Sequence, residues 1–134
     1  VAPLRIQIVD DSPDVRERLR MMIESHEGMV VVAEADSPAM AFEQFTRERP
    51  DAIILDMRLK NGSGLDVIHA VRETAQPVRI LVWTNYPHER YRTVTTIMGA
   101  DYFFWKATEY DRLIATLCDL VQADEERPPR PPAG

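Results

Sequence analysis

Asp10, Asp11, Asp56, Thr84 and Lys106 are the side chains with which this chain could do chemistry, and each follows an apolar run. Arg5-Ile6-Gln7-Ile8-Val9 leads into Asp10-Asp11, and Ala52-Ile53-Ile54-Leu55 into Asp56. Val78-Arg79-Ile80-Leu81-Val82-Trp83 leads into Thr84-Asn85, and Tyr102-Phe103-Phe104-Trp105 into Lys106. Short continuous apolar runs rich in β-branched residues read as strands covered on both faces. In open α/β sheets, ligands bind outside the carboxyl ends of such strands. Two carboxylates ~4 Å apart repel by on the order of 4 kcal/mol at an effective dielectric of 20. A site that gathers three therefore protonates one of them or binds a cation. Oxygen donors without His or Cys favour Mg²⁺ over zinc or copper, and Mg²⁺ commonly joins one or two carboxylates to a phosphoryl oxygen. Asp56 could then act as a carboxylate nucleophile forming an aspartyl-phosphate. Thr84 would offer a hydroxyl, and Lys106 a point charge, to the remaining phosphoryl oxygens. The chain has two lysines, Lys60 and Lys106, among its sixteen Lys and Arg residues. One of the two closes an aromatic strand, where an ammonium wants an anionic partner. Each feature alone has a plainer reading: acids before a helix N-terminus, a turn threonine, a solvated strand end.

The elements that must hold these residues follow from periodicity and turn chemistry. A strand is predicted over 4–9. Ser12-Pro13 then supplies an N-cap and a first-turn proline for a helix over about 13–26, with Val15, Leu19, Met22 and Ile23 on one face. Strand two is predicted over 29–33. Ser37-Pro38 opens helix two, with Ala41, Phe42 and Phe45 inward. Strand three covers 52–55, a polar glycine-containing loop 57–63, and Leu65, Ile68 and Val71 mark helix three. Strand four is predicted over 78–83. Pro87 opens helix four, with Tyr91, Val94, Ile97 and Met98 inward and Gly99 as its C-terminal cap. Thr93-Val94-Thr95-Thr96-Ile97 is β-branched throughout, so this helix is expected to be the softest. Strand five covers 102–105, and Thr108 with Asp111 suggests a capping box for helix five over about 109–123. Five strands alternating with five helices imply an α/β domain with a parallel sheet covered on both faces. The flavodoxin-like order 2-1-3-4-5 is the fold-level expectation, with its switch point between strands one and three. The domain is expected over 4–123. The Pro/Arg-rich 124–134 is expected to be an extended tail or a truncated linker.

Bulk properties exclude several classes. At 134 residues, 45% hydrophobic and 28% charged, the chain suits one globular domain. A net charge of −6 leaves no basic stripe for nucleic acid. One cysteine, Cys118, precludes an internal disulfide and lies on a helical apolar stripe as core filler. His26, His69 and His88 lack zinc-ligand spacing. No apolar run reaches membrane-span length and no signal peptide is visible, so the expected compartment is the cytoplasm, with no membrane partner.

Val9-Asp10-Asp11-Ser12, Ile54-Leu55-Asp56-Met57-Arg58, Trp83-Thr84-Asn85 and Gly99-Ala100-Asp101-Tyr102-Phe103-Phe104-Trp105-Lys106 resemble four signature segments of bacterial two-component response-regulator receiver domains. The resemblance spans about 4–123. It implies that Asp56 is the phosphoacceptor and that Asp10 and Asp11 bind Mg²⁺ together with Asp56 and the Arg58 carbonyl. It implies that Thr84 is the switch hydroxyl, Lys106 the phosphoryl-binding lysine and Phe103 the aromatic switch position. Arg58 and Tyr86 occupy the positions that tune phosphoryl-group lifetime; both are large, and are expected to shield the acyl phosphate. The implied partners are a histidine kinase or phosphotransfer protein and, through helix four, strand five and helix five, an output partner or a second copy of the chain. The implied role is a signalling switch, stand-alone or part of a transcriptional regulator. It is not a metabolic enzyme, and catalyses only its own phosphorylation and dephosphorylation. Ala107 stands where the family has a proline in a cis peptide, Lys60 where proline is common, and Asn85 where a small residue is usual. Phe103 has no hydroxyl, so a switch there works by packing. Ala107 and Asn85 keep open a second reading, a pseudo-receiver that is never phosphorylated and acts as an interaction module, against which the intact acidic residues, Thr84 and Lys106 argue. A flavin protein or small phosphatase of the same fold class lacks support, having neither a Gly-rich phosphate loop nor an Asp-x-Asp motif.

Overall fold

The computed structural model describes residues 2–85 and 89–125. Its main sheet has five parallel strands: β1 (Leu4–Val9), β2 (Met29–Ala35), β3 (Ala52–Leu55), β4 (Arg79–Thr84) and β5 (Tyr102–Trp105). Their spatial order is β2-β1-β3-β4-β5, the order expected of a flavodoxin-like fold. The helices are α1 (Pro13–Glu24), α2 (Pro38–Glu48), α3 (Gly64–Arg72), α4 (Arg90–Met98) and α5 (Tyr110–Glu125).

Alternating side chains of the sheet build two cores. Val9, Ile53, Leu55, Ile80, Val82 and Phe103 face α2 and α3 through Ala41, Phe45, Val67, Ile68 and Val71. Ile6, Ile8, Ile54, Leu81, Trp83 and Phe104 face α1 and α5 through Leu19, Ile23, Leu113 and Leu117. Coverage on both faces is why β3 reads as an unbroken apolar run: all four of its residues are buried.

The helix starts at Ser12 and Ser37 are as expected. Their hydroxyls accept from the Val15 and Met40 amides, each at 3.3 Å, with proline in the first turn. Gly99 closes α4 at φ 116°, in the left-handed region that glycine enters without a Cβ penalty.

Several local expectations change. β2 extends to Ala35, two residues past the predicted end, because its ladder with β1 continues through Val9↔Ala35. α1 ends at Glu24, two residues early. The segment after β3 holds a small antiparallel hairpin, Arg58–Leu59 with Gly62–Ser63, and Asn61 takes the positive φ of its turn. α4 is rotated from the predicted face. Thr95 is fully buried, whereas Ile97 is 79% exposed and Val94 36% exposed. Tyr91 and Met98 do pack inward. Thr95 is accommodated because its hydroxyl donates to the Tyr91 carbonyl at 2.7 Å, so the buried polar atom is satisfied within its own helix. The predicted capping box at Thr108 does not form. α5 begins at Tyr110, after Glu109, whose carboxylate accepts from the Trp105 amide at 3.0 Å. No cis peptide occurs among the described residues, so the Lys106–Ala107 bond is trans. The predicted helix start at Pro87 and the Pro/Arg-rich tail lie outside the described residues, apart from the last turn of α5.

Candidate functional site

Strand register brings the five sequence-selected side chains to one edge. Val9 pairs with Leu55 and Leu55 with Val82, so β1 and β3 end level. The ladders continue one residue beyond those ends. The Asp56 amide donates to the Val9 carbonyl at 2.9 Å, and the Lys106 amide to the Thr84 carbonyl at 3.0 Å. Asp10 and Asp56 therefore leave the sheet side by side, with Thr84 and Lys106 on the far side of Asp56.

Asp10, Asp56 and Thr84 are buried, whereas Asp11 is exposed. Carboxylate oxygens of Asp10, Asp11 and Asp56 all lie within 4.8 Å of one another. The Lys106 ammonium donates to Asp10 Oδ2 at 2.6 Å and to Asp56 Oδ2 at 2.9 Å. The Thr84 hydroxyl donates to Asp56 Oδ1 at 2.7 Å. Asp10 Oδ1 accepts the Ser12 amide at 2.9 Å. The Arg58 amide stands 3.5 Å from Asp56 Oδ1, while its side chain is exposed.

The charges settle into a compact balance. Burial pushes the Asp10 carboxyl above its ordinary value, against the lowering effect of the Lys106 and Ser12 bonds. Burial also works against the Lys106 ammonium. Hydrogen bonds and charge from Asp10 and Asp56 outweigh it and hold the lysine above its usual value. One half-buried ammonium thus spans two buried carboxyl groups, and the exposed Asp11 adds a third at the rim. This donor set is all oxygen and hard. It fits a small divalent cation of the Mg²⁺ type, with Asp11 on the solvent side.

Three supporting residues escape a reading of the sequence alone. Trp83 lies under Lys106, its ring centroid 5.4 Å from Nζ. Gly64, the first residue of α3, donates its amide to the Met57 carbonyl at 2.9 Å. A Cβ there would come within 2.5 Å of the Asp56 carbonyl oxygen, so α3 can approach the acidic strand end only as glycine. Arg92 lies over Phe103 at 4.9 Å and over Trp105 at 5.8 Å, and pairs with Glu109 at 3.8 Å. That guanidinium ties α4 to the end of β5. The aromatic run and the Gly-Ser-Gly segment were visible as sequence, but no local pattern says which ring meets which cation. Phe103 itself is buried and meets Trp105 edge-on at 4.9 Å. Tyr86 lies outside the described residues.

Comparison with known proteins follows the same lines. A family model described as the response regulator receiver domain matches residues 6–118. A nitrate/nitrite response regulator protein homolog of Haemophilus influenzae is 29% identical over 123 residues, covering 90% of this chain and 58% of that protein. The response regulator MprA of a Mycobacterium species is 32% identical over 131 residues, covering 96% of this chain and 56% of that protein. The chain thus spans just over half the length of these two relatives. Among solved structures, the signal receiver domain of the response regulator NarL from Mycobacterium tuberculosis superposes with a TM-score of 0.83 at 26% identity, covering 91% of this chain and 98% of that one. A LuxR-family two-component response regulator from Aurantimonas gives a TM-score of 0.83 at 27% identity, covering 91% of this chain and 87% of that one.

Proposed function

Because this chain belongs to the response regulator receiver domain family, we propose that it is a phosphorelay switch that accepts a phosphoryl group on Asp56 from a histidine kinase or phosphotransfer protein. The observation that carries the reading is the convergence of Asp10, Asp11, Asp56, Thr84 and Lys106 at one sheet edge.

A carboxylate oxygen of Asp56 forms the new O–P bond as the P–N bond to the donor imidazole breaks. The imidazole leaves with the electron pair and takes a proton from solvent. Asp10, Asp11 and Asp56, with the Arg58 carbonyl, are the groups that would hold Mg²⁺. When bound, that ion neutralises charge on the carboxylates and the transferring phosphoryl group. Lys106 then exchanges its bond to Asp56 for one to a phosphoryl oxygen while keeping Asp10. Thr84, already directed at Asp56, turns its hydroxyl to another phosphoryl oxygen. This movement, passed to Phe103 and α4, is the switch. Output runs through the α4, β5 and α5 face, to a partner or a second copy. Arg58, exposed two residues after the acceptor, and Tyr86, at the other position that tunes phosphoryl-group lifetime in the family, shield the acyl phosphate from water.

Intact mass after incubation with acetyl phosphate and Mg²⁺ tests the reading. A Mg²⁺-dependent phosphoryl adduct is expected on the parent protein and not on Asp56→Ala. An unmodified parent that also binds neither Mg²⁺ nor beryllofluoride would move the assignment to a non-phosphorylated interaction module.

A further inference from the structure

We propose that Trp83 is a positioning residue for the Lys106 ammonium, a role that gains its functional meaning from the phosphoacceptor reading above. The Lys106 ammonium has three N–H donors. Two are spent on Asp10 Oδ2 and Asp56 Oδ2, which set the pull toward the acids. The same ammonium lies over the indole of Trp83, 5.4 Å from the ring centroid, within the range over which a ring face attracts a cation. The lysine therefore contacts two carboxylates and an aromatic face together. Its side chain is only 13% exposed, so water competes little for that contact.

What tryptophan brings here is its face. Its Nε1 is buried and finds no hydrogen-bond acceptor among the described residues. A buried donor without a partner is a cost that leucine or phenylalanine would not incur. The ring is fixed from behind by packing. Trp83 belongs to the core under α1 and α5, beside Leu81 and Phe104, and Tyr110 at the start of α5 leans on it at 6.3 Å. The ladder does the rest, because Trp83 pairs with Phe104 two residues before Lys106. The ring thus rests on the sheet and α5, while the lysine sits at the start of the β5–α5 loop. Anchoring the ammonium from the sheet side gives it one position, independently of the conformation of that loop around Ala107.

The composition makes the test simple. Lys60 and Lys106 are the only lysines. Protein carrying ¹³C-labelled lysine therefore shows two Cε–Hε NMR correlations, and Lys60, with 62% of its side chain exposed, serves as the internal reference. In the parent protein the Lys106 Hε protons are expected upfield of those of Lys60 through the ring current of Trp83. In Trp83→Leu that displacement should vanish, and in Trp83→Phe it should persist in part. Phosphorylation by acetyl phosphate should slow roughly fivefold in Trp83→Leu, within the range of a desolvated cation–ring contact. It should be largely restored in Trp83→Phe. In a Lys106→Met background the Trp83→Leu change should have no further effect on the rate. Coincident lysine signals in the parent would overturn the proposal without any variant having to fold. Equal slowing with and without Lys106 would reduce Trp83 to a core residue. A parent that shows the ring-current displacement yet takes no phosphoryl group would leave the placement of Lys106 standing and remove the phosphoacceptor reading instead.

Discussion

Replacing Lys106 with methionine removes the ammonium and keeps nearly the same volume. Two buried carboxylate oxygens, at 2.6 and 2.9 Å from Nζ, then lose their cation. Breaking a buried pair by deleting one partner costs about 3–5 kcal/mol. Part of this is offset because the lysine no longer has to be desolvated, so about 3 kcal/mol of folding stability should be lost at pH 7 without divalent ions. The pH dependence has a definite sign. Asp10 already has a folded pKa above 3.8, and losing Lys106, which lowers it, raises it further. A group of this kind supports the fold fully below 3.8 and loses that support as pH rises through the folded value. The stability gap between parent and variant should therefore narrow as pH falls from 7 toward 4. Mg²⁺ should narrow it too, because a cation replaces a cation; a ligand at a hundred times its dissociation constant adds about 2.7 kcal/mol. Urea unfolding at several pH values, with and without Mg²⁺, measures all of this. A variant within about 0.5 kcal/mol of the parent at pH 7, or a gap that widens on acidification, would refute the charge balance described here.

Gly64→Ala should cost about 2–3 kcal/mol and slow phosphorylation of Asp56, because its Cβ meets the Asp56 carbonyl oxygen; thermal melts and the acetyl phosphate assay check both. Ile97→Ser should change stability by less than about 0.5 kcal/mol, since Ile97 is 79% exposed, whereas the sequence-predicted inward face would have implied a loss several times larger in the same melts. In the alkaline range the parent should lose stability as pH rises through the folded pKa of Lys106, which lies above 10.5, and Lys106→Met should lack that component of the decline. An Arg58→Ala, Tyr86→Ala double variant, once phosphorylated, should lose the acyl phosphate faster than the parent, read by the decay of the adduct mass; slower or equal loss would remove the shielding role.

The residues that converge at the candidate site were legible because strand ends are local events. β3 announces itself as four apolar residues, and Asp56 as the first polar residue after them. The same holds for Asp10 after β1 and Lys106 after β5. The Ser-Pro helix starts were equally local, since the cap bonds reach only three residues ahead. Alternation of strand and helix, with the restriction to right-handed crossovers, then left few ways to arrange the sheet.

What the sequence by itself determined is thus the set of elements and the residue types that end them. Tertiary structure decided everything that depends on distance across the fold. α4 shows why: its apolar residues mark two faces, and only packing against the sheet selects the face with Tyr91, Thr95 and Met98 and turns Ile97 outward. Trp83 and Lys106 are twenty-three positions apart, Asp10 and Lys106 ninety-six. No local propensity couples such residues. Their meeting follows from parallel strand register, which sets the carboxyl ends level and turns separate strand ends into one charged site.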